Sequence, residues 1–347
     1  MLKYKWMCIA VICCAMFTAC ETSPDELSYK NPISFGDRKN IGDAVNALLW
    51  GYYGDTWIYG TKTTTDNVTS VTGQNANVTI VDGVDGDVST LTPKDVPTRY
   101  WAQTKSEYNF YAMWPLEGNE NDHGISNIKF NTNKTITFDC DITKQTDICI
   151  AATLNQTSQW NVSPIDLDPV NLHFQHMLSK VQFIGRSAST EVKIVRASIN
   201  VPTTATGTYS NSDEDLVSYD LDDDATQLST PDHFARTIPA ATATENTIDI
   251  TDGGWLVFPG EFTEDIEFTV EYETGEYEAD GTTPKTKSII GYIRTSEETS
   301  KISWQRGKRH IYNFTIQPAG PITFGTVTVA KWEDGGTITL GSFPTIP

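Results

Sequence analysis

His173 and His176 stand three residues apart, a spacing that on a helix turns both imidazoles to one side, where they could share a metal ion. On a strand the same spacing sends them to opposite faces, and both are read as packed or hydrogen-bonded histidines. Asp220, Asp222 and Asp224 fill the first, third and fifth positions of an EF-hand loop. The glycine required at the sixth is Ala225 and the glutamate required at the twelfth is Pro231, so the calcium motif fails. Asp82, Asp85 and Asp87 lie in a glycine-rich turn, where aspartate hydrogen-bonds its own backbone. The chain has no Gly-x-Ser-x-Gly elbow, no P-loop and no His-Glu-x-x-His. Paired carboxylates of the glycosidase kind are set by distance in space, and nothing in the sequence points to them. The expectation is a protein that is not an enzyme, with no catalytic residue, no cofactor and no metal. Trp50, Tyr52, Tyr53, Trp57 and Tyr59 crowd one segment. Exposed, Trp50, Trp57 and Tyr59 could stack on sugars; buried, they would fill a core, the commoner use of strand aromatics.

The elements that must position these residues are strands. Ile33 and Phe35 alternate in a first short run; Ile136, Phe138, Cys140 and Ile142 share one face of another, and Ile148, Ile150, Ala152 and Leu154 one face of the next. Phe268, Val270 and Tyr272 pair with Ile289, Tyr292 and Ile293 across an acidic loop, 274–285. His310, Tyr312, Phe314 and Ile316 alternate, and Val327 and Val329 follow. One helical piece is expected at 41–49, where Ile41, Val45, Leu48 and Leu49 recur at helical spacing. Many short alternating strands with turn signals mean an all-β chain of sandwiches or barrels. Two prolines, Pro164 and Pro169, mark a domain boundary there. Cys140 lies on the apolar face of its run and Cys149 off the apolar face of its own. If the two runs form a hairpin, the thiols point apart and form no disulfide.

The chain of 347 residues carries 45 acidic against 25 basic side chains, a formal charge of −20. That balance excludes a nucleic-acid partner and basic-patch docking on an anionic membrane. Lys3 and Lys5 precede an apolar run over 6–17, too short to span a bilayer and suited to a signal peptide over 1–19. Phe17-Thr18-Ala19-Cys20 resembles a bacterial lipobox, with Phe where Leu is usual, and makes Cys20 the expected lipidation site. Only Cys140 and Cys149 then remain in the folded part, with no Cys-x-x-Cys for structural zinc.

Several segments, in order, resemble the fimbrillins of Bacteroidetes: Ile33-Ser34-Phe35, Phe110-Tyr111-Ala112-Met113-Trp114-Pro115, Gln145-Thr146-Asp147-Ile148-Cys149-Ile150-Ala151, and 172–183 with His176 and Lys180 in its Phe-x-His-x-Leu-Ser-Lys core. Arg309-His310-Ile311-Tyr312-Asn313-Phe314-Thr315-Ile316 and Val329-Ala330-Lys331-Trp332 resemble the closing strands. The resemblance implies two tandem β-sandwiches of transthyretin-like topology, over 33–165 and 170–347, behind a lipidated linker over 20–32. It implies export as a lipoprotein held in the outer membrane through Cys20, then display at the cell surface in a fimbrium with other fimbrial subunits, and adhesion to a host or bacterial surface ligand.

Such fimbrillins polymerise by donor-strand exchange: an Arg-directed protease removes the first strand, and a neighbour's strand fills the groove. Mapped here, Ile33 and Phe35 belong to the leader strand and Arg38 is the processing site. The donor strand is the C-terminal stretch with Val327, Val329, Ile338 and Leu340. The alternative, that these strands finish their own domain, is equally compatible with the sequence. The second functional reading is a surface glycan-binding lipoprotein that uses the Trp50, Trp57 and Tyr59 platform.

Overall fold

The computed structural model describes residues 31–35 and 44–331, apart from 66–67, 81–87, 104–105, 116–122, 164–165, 189, 212–216, 223–224, 231–233, 239–246, 295–300, 318–319, 321 and 326. The expected signal peptide, Cys20, Arg38, Asp82, Asp85, Asp87, Asp224, Ile338 and Leu340 lie outside these residues.

Among the described residues the fold is all strand, with a single 3-10 turn at Ile142–Lys144. A first lobe is built of two facing sheets. One runs Gln175–His176, Cys149–Thr157, Glu107–Trp114, Ala44–Tyr53, Gln74–Ile80, Val88–Pro93, with Thr56–Tyr59 added to Ala44–Tyr53. The other runs Val217–Leu221, Thr204–Ser210, Thr135–Asp141, Ile125–Asn131, Val68–Thr72, Thr61–Thr65. Between them pack Trp50, Tyr52, Tyr111, Met113, Phe130 and Phe138. The second lobe faces Ser179–Ser187 and its parallel neighbour Lys308–Ile316 against Val192–Pro202, Ile266–Tyr277 and Pro284–Ile293. Phe183, Phe268, Tyr312 and Phe314 form its centre.

The alternation expected over 136–140 and 268–272 is present: every second residue is buried. Val270 pairs with Ile289 and Ile266 with Ile293, while Tyr292 faces outward opposite Glu267. The helix expected at 41–49 is not formed; its described part belongs to the strand Ala44–Tyr53. That strand is covered on both sides. Leu48, Trp50 and Tyr52 enter the core between the sheets, and Ala47 and Leu49 enter a second core on the opposite face. A strand buried on both faces loses polar alternation, and a continuous apolar run mimics helical spacing.

The runs carrying Cys140 and Cys149 do not form a hairpin but belong to different sheets. The two cysteines form no disulfide and are buried on opposite sides of the first sheet, Cys140 between the sheets and Cys149 in the outer core.

The boundary expected at 165–170 does not divide the hydrogen bonding. Thr204–Ser210 pairs along its whole length with Thr135–Asp141, and Val217–Leu221 pairs with Thr204–Ser210. A hairpin from the later half of the chain thus completes the second sheet of the first lobe. Trp255–Val257 straddles the lobes: Trp255 and Val257 enter the second core, Leu256 the first. Gln145, in the left-handed conformation that closes the 3-10 turn, clamps this strand. Its amide donates to Leu256 O at 3.1 Å and accepts from Leu256 N at 2.8 Å. Proline marks where a strand cannot be central, not which sheet the next strand joins.

Candidate assembly site

The outer face of the first sheet carries Leu49, Ala76, Tyr108, Phe110 and Ala112, which must be hidden from water. The segment 31–35 covers them. Its burial alternates strictly: Asn31, Ile33 and Phe35 point in, Pro32 and Ser34 out. Ile33 is 7% and Phe35 4% exposed. Phe35 meets Phe110 and Tyr59 edge to face, with centroids 5.2 and 5.6 Å apart, an orientation that suits the ring quadrupoles.

The backbone of this segment is held by three separate parts of the chain. Ile33 N donates to Arg99 O at 2.8 Å, and Trp101 N to Asn31 O at 2.9 Å. Val170 N donates to Ser34 O at 2.8 Å, and Leu91 N reaches Phe35 O at 3.5 Å. Asn31 adds side-chain bonds to Gln159 O and Val162 O. Each contact is a bridge rather than a continuous ladder, so the segment lies as a plug in a groove between 91–101 and 170–174. Three residues beyond Phe35 the chain reaches Arg38.

At the other end, Thr323–Phe324 and Thr328–Lys331 both pair with Lys308–Ile316, the second with His310 opposite Val329. Ile322 is buried and Phe324 packs on Phe268 and Phe314, so this part finishes the second core. Val327 and Val329 do not: they are 39% and 51% exposed. The valine of the last described strand and the one just before it therefore cover no core of their own lobe.

The aromatic platform is corrected. Trp50 is fully buried and donates its indole N–H to Val71 O at 2.9 Å, and Tyr59 lies in the core under Phe35. Desolvation pushes the Tyr59 hydroxyl above its usual range. Trp57 alone is half-exposed, and it packs on Tyr52 and Phe130 with the Lys134 ammonium above. Only the first sheet's two-sided burial could have shown this, and single-strand periodicity does not report it. The calcium reading fails in space as in sequence, since Asp220 lies within the strand Val217–Leu221 and Asp222 just after it.

His173 is exposed and His176 is not, and the two are not brought together. His176 instead meets two residues from 27 and 29 positions earlier. Its Nδ1 lies 2.5 Å from Asp147 Oδ2 and 3.6 Å from Cys149 Sγ. Sequence reading missed this cluster because it depends on the register that sets Cys149 opposite His176.

The family profile described as fimbrillin-like matches residues 52–332, and the chain belongs to that family. No curated protein matches it. Among solved structures, a fimbrial protein of Bacteroides vulgatus is 14% identical with a TM-score of 0.49, covering 82% of this chain and 92% of its own. A proposed cell-adhesion protein of Bacteroides ovatus is 12% identical with a TM-score of 0.48, covering 88% and 98%. One of Bacteroides uniformis is 14% identical with a TM-score of 0.46, covering 89% and 100%.

Proposed function

We propose that this protein is a fimbrial subunit, exported as a lipoprotein on Cys20 and assembled at the cell surface by donor-strand exchange with other subunits. The observation that carries the reading is the plug at 31–35. It hides a groove with two inward apolar side chains, the buried Asn31 and a few backbone bridges, and its only covalent tie to the first lobe runs through the stretch that contains Arg38. Cutting after Arg38 leaves the plug held by noncovalent contacts alone. Ile33 and Phe35 contribute roughly 1.5–3 kcal/mol each by burial, and a longer incoming strand that fills the same groove contributes more. Unpaired backbone and an apolar slot would otherwise face water. Val327 and Val329 supply apolar side chains that their own lobe leaves exposed, which suits the C-terminal stretch as the donor. In this reading the protein carries out no catalysis, and its lobes are structural.

The test is arginine-specific proteolysis of the full chain, followed by electrophoresis in detergent without heating and N-terminal sequencing of each band. The expected outcome is a ladder of heat-sensitive oligomers whose chains begin at Lys39. Clean cleavage at Arg38 that leaves only monomer would overturn strand exchange.

A further inference from the structure

Asp147, Cys149 and His176 place a carboxylate, a thiol and an imidazole nitrogen within 4.8 Å of one another at the margin of the outer core. Their convergence follows from strand geometry. Cys149 is the direct cross-strand partner of His176 in the antiparallel pair, and Asp147, two residues before that strand opens, turns its carboxylate to the Cys149 thiol. Cys149 is 5% exposed, and the His176 and Asp147 side chains only 12% and 15%.

The donor set has an unfilled demand. Asp147 Oδ2 takes both the Cys149 thiol, at 3.2 Å, and His176 Nδ1, at 2.5 Å. Asp147 Oδ1 is buried with no hydrogen-bond partner. A buried carboxylate oxygen left bare is costly and points to a missing cation or donor. The Arg306 guanidinium turns to Gln175 Oε1 and His176 O instead.

We propose that Asp147, Cys149 and His176 form a zinc site with one thiolate, one imidazole and one carboxylate ligand, the fourth position being left to water. Thiolate plus imidazole selects zinc over the hard cations magnesium and calcium. Tetrahedral bonds of about 2.3 Å to sulfur and 2.0–2.1 Å to nitrogen set those two atoms about 3.6 Å apart, and Sγ and Nδ1 are 3.6 Å apart. Only the carboxylate must swing away from the imidazole to admit the ion. Zinc takes the Cys149 thiolate, the thiol proton leaves to solvent, and His176 binds in the tautomer with Nδ1 free. The ion would join Cys149–Thr157 to the short strand that leads directly into the second lobe, acting as a clasp at the lobe junction.

The test uses the full chain carrying Cys8→Ser, Cys13→Ser, Cys14→Ser and Cys20→Ser, so that Cys140 and Cys149 are its only thiols. Cobalt(II) is added as a probe, then zinc. The expected result is one equivalent bound, with a thiolate-to-cobalt charge-transfer band and the visible bands of tetrahedral cobalt, both displaced by zinc. The signal should survive Cys140→Ser and vanish in Cys149→Ser. Zinc affinity should fall at least ~100-fold in the second variant, since even outer partners of a ligand are worth 10–100-fold. Zinc X-ray absorption of the parent, which keeps the cluster intact, should show one sulfur at about 2.3 Å with nitrogen or oxygen completing the shell. A parent that binds no cobalt, a zinc shell without sulfur, or a thiolate band that follows Cys140 would each overturn the site.

Discussion

At the scale of single residues, His310 gives the molecule a pH limit. It is 2% exposed, and Nε2 accepts the Gln305 N–H at 2.9 Å. Burial lowers its pKa to about 4. The folded state therefore holds His310 neutral, whereas the unfolded chain protonates it near its ordinary value of about 6.5. The resulting stability is fully present above pH ~6.5 and is lost as pH falls toward about 4, by at most about 3 kcal/mol. Melting temperature recorded across that window should fall less in His310→Gln than in the parent. A steric prediction concerns Gly207, which stands opposite Phe138 in the strand pairing. A Cβ there would lie 2.4 Å from the ring. Gly207→Ala should cost about 1–3 kcal/mol by overpacking, measured by urea unfolding.

At the scale of elements, the plug and the last strand behave differently. Phe35 sits against Phe110 and Tyr59 at one end of a segment held by bridges. Phe35→Ala should remove about 3 kcal/mol from the plug's hold. Because cleavage follows the open population when reclosing is fast, arginine-specific cutting at Arg38 should speed up by ~100-fold. Equal rates in both proteins would mean that Arg38 is cut with the plug in place. Val329, half-exposed, carries little of the monomer. Val329→Asp should shift monomer stability by no more than about 0.5 kcal/mol while abolishing the ladder, if that strand is donated. Elements of this kind were legible in sequence where one face meets water: Ile33 and Phe35, 136–140 and 268–272 all alternate as read. Ala44–Tyr53 was not legible, because both of its faces are buried and the polar half of the alternation is missing. The Asp147, Cys149 and His176 cluster was hidden for another reason. The pairing that makes it, Cys149 with His176, joins residues far apart along the chain.

At the scale of the whole molecule, the two lobes share strands, and this decides how the protein unfolds. The edge that Thr135–Asp141 presents to Thr204–Ser210 is filled only after the chain has entered the second lobe and returned. Ala205, Tyr209 and Val217 bury themselves with Phe138 and Ile136 in the first core, and Leu256 and Phe258 join them. Tyr219, whose hydroxyl reaches Met177 O, closes the same junction. A fragment ending at residue 165 would lack all of these. It would expose the edge of Thr135–Asp141 and one side of the core, along with the outer-face contacts of Val170, Leu172 and Phe174. Expressed alone, residues 31–165 should therefore fail to fold, giving no near-ultraviolet circular dichroism and poor dispersion of amide resonances. The intact chain should melt in one calorimetric transition, since neither lobe can release its strands without opening the other's core. Two well-separated transitions, with Gly207→Ala lowering only one, would show instead that the shared hairpin does not couple the lobes. A single transition lowered as a whole by Gly207→Ala would place the coupling in that hairpin. Donor-strand exchange would then act on a rigid first lobe, because the plug at 31–35 lies on the face opposite to the crossing strands and can leave without disturbing them.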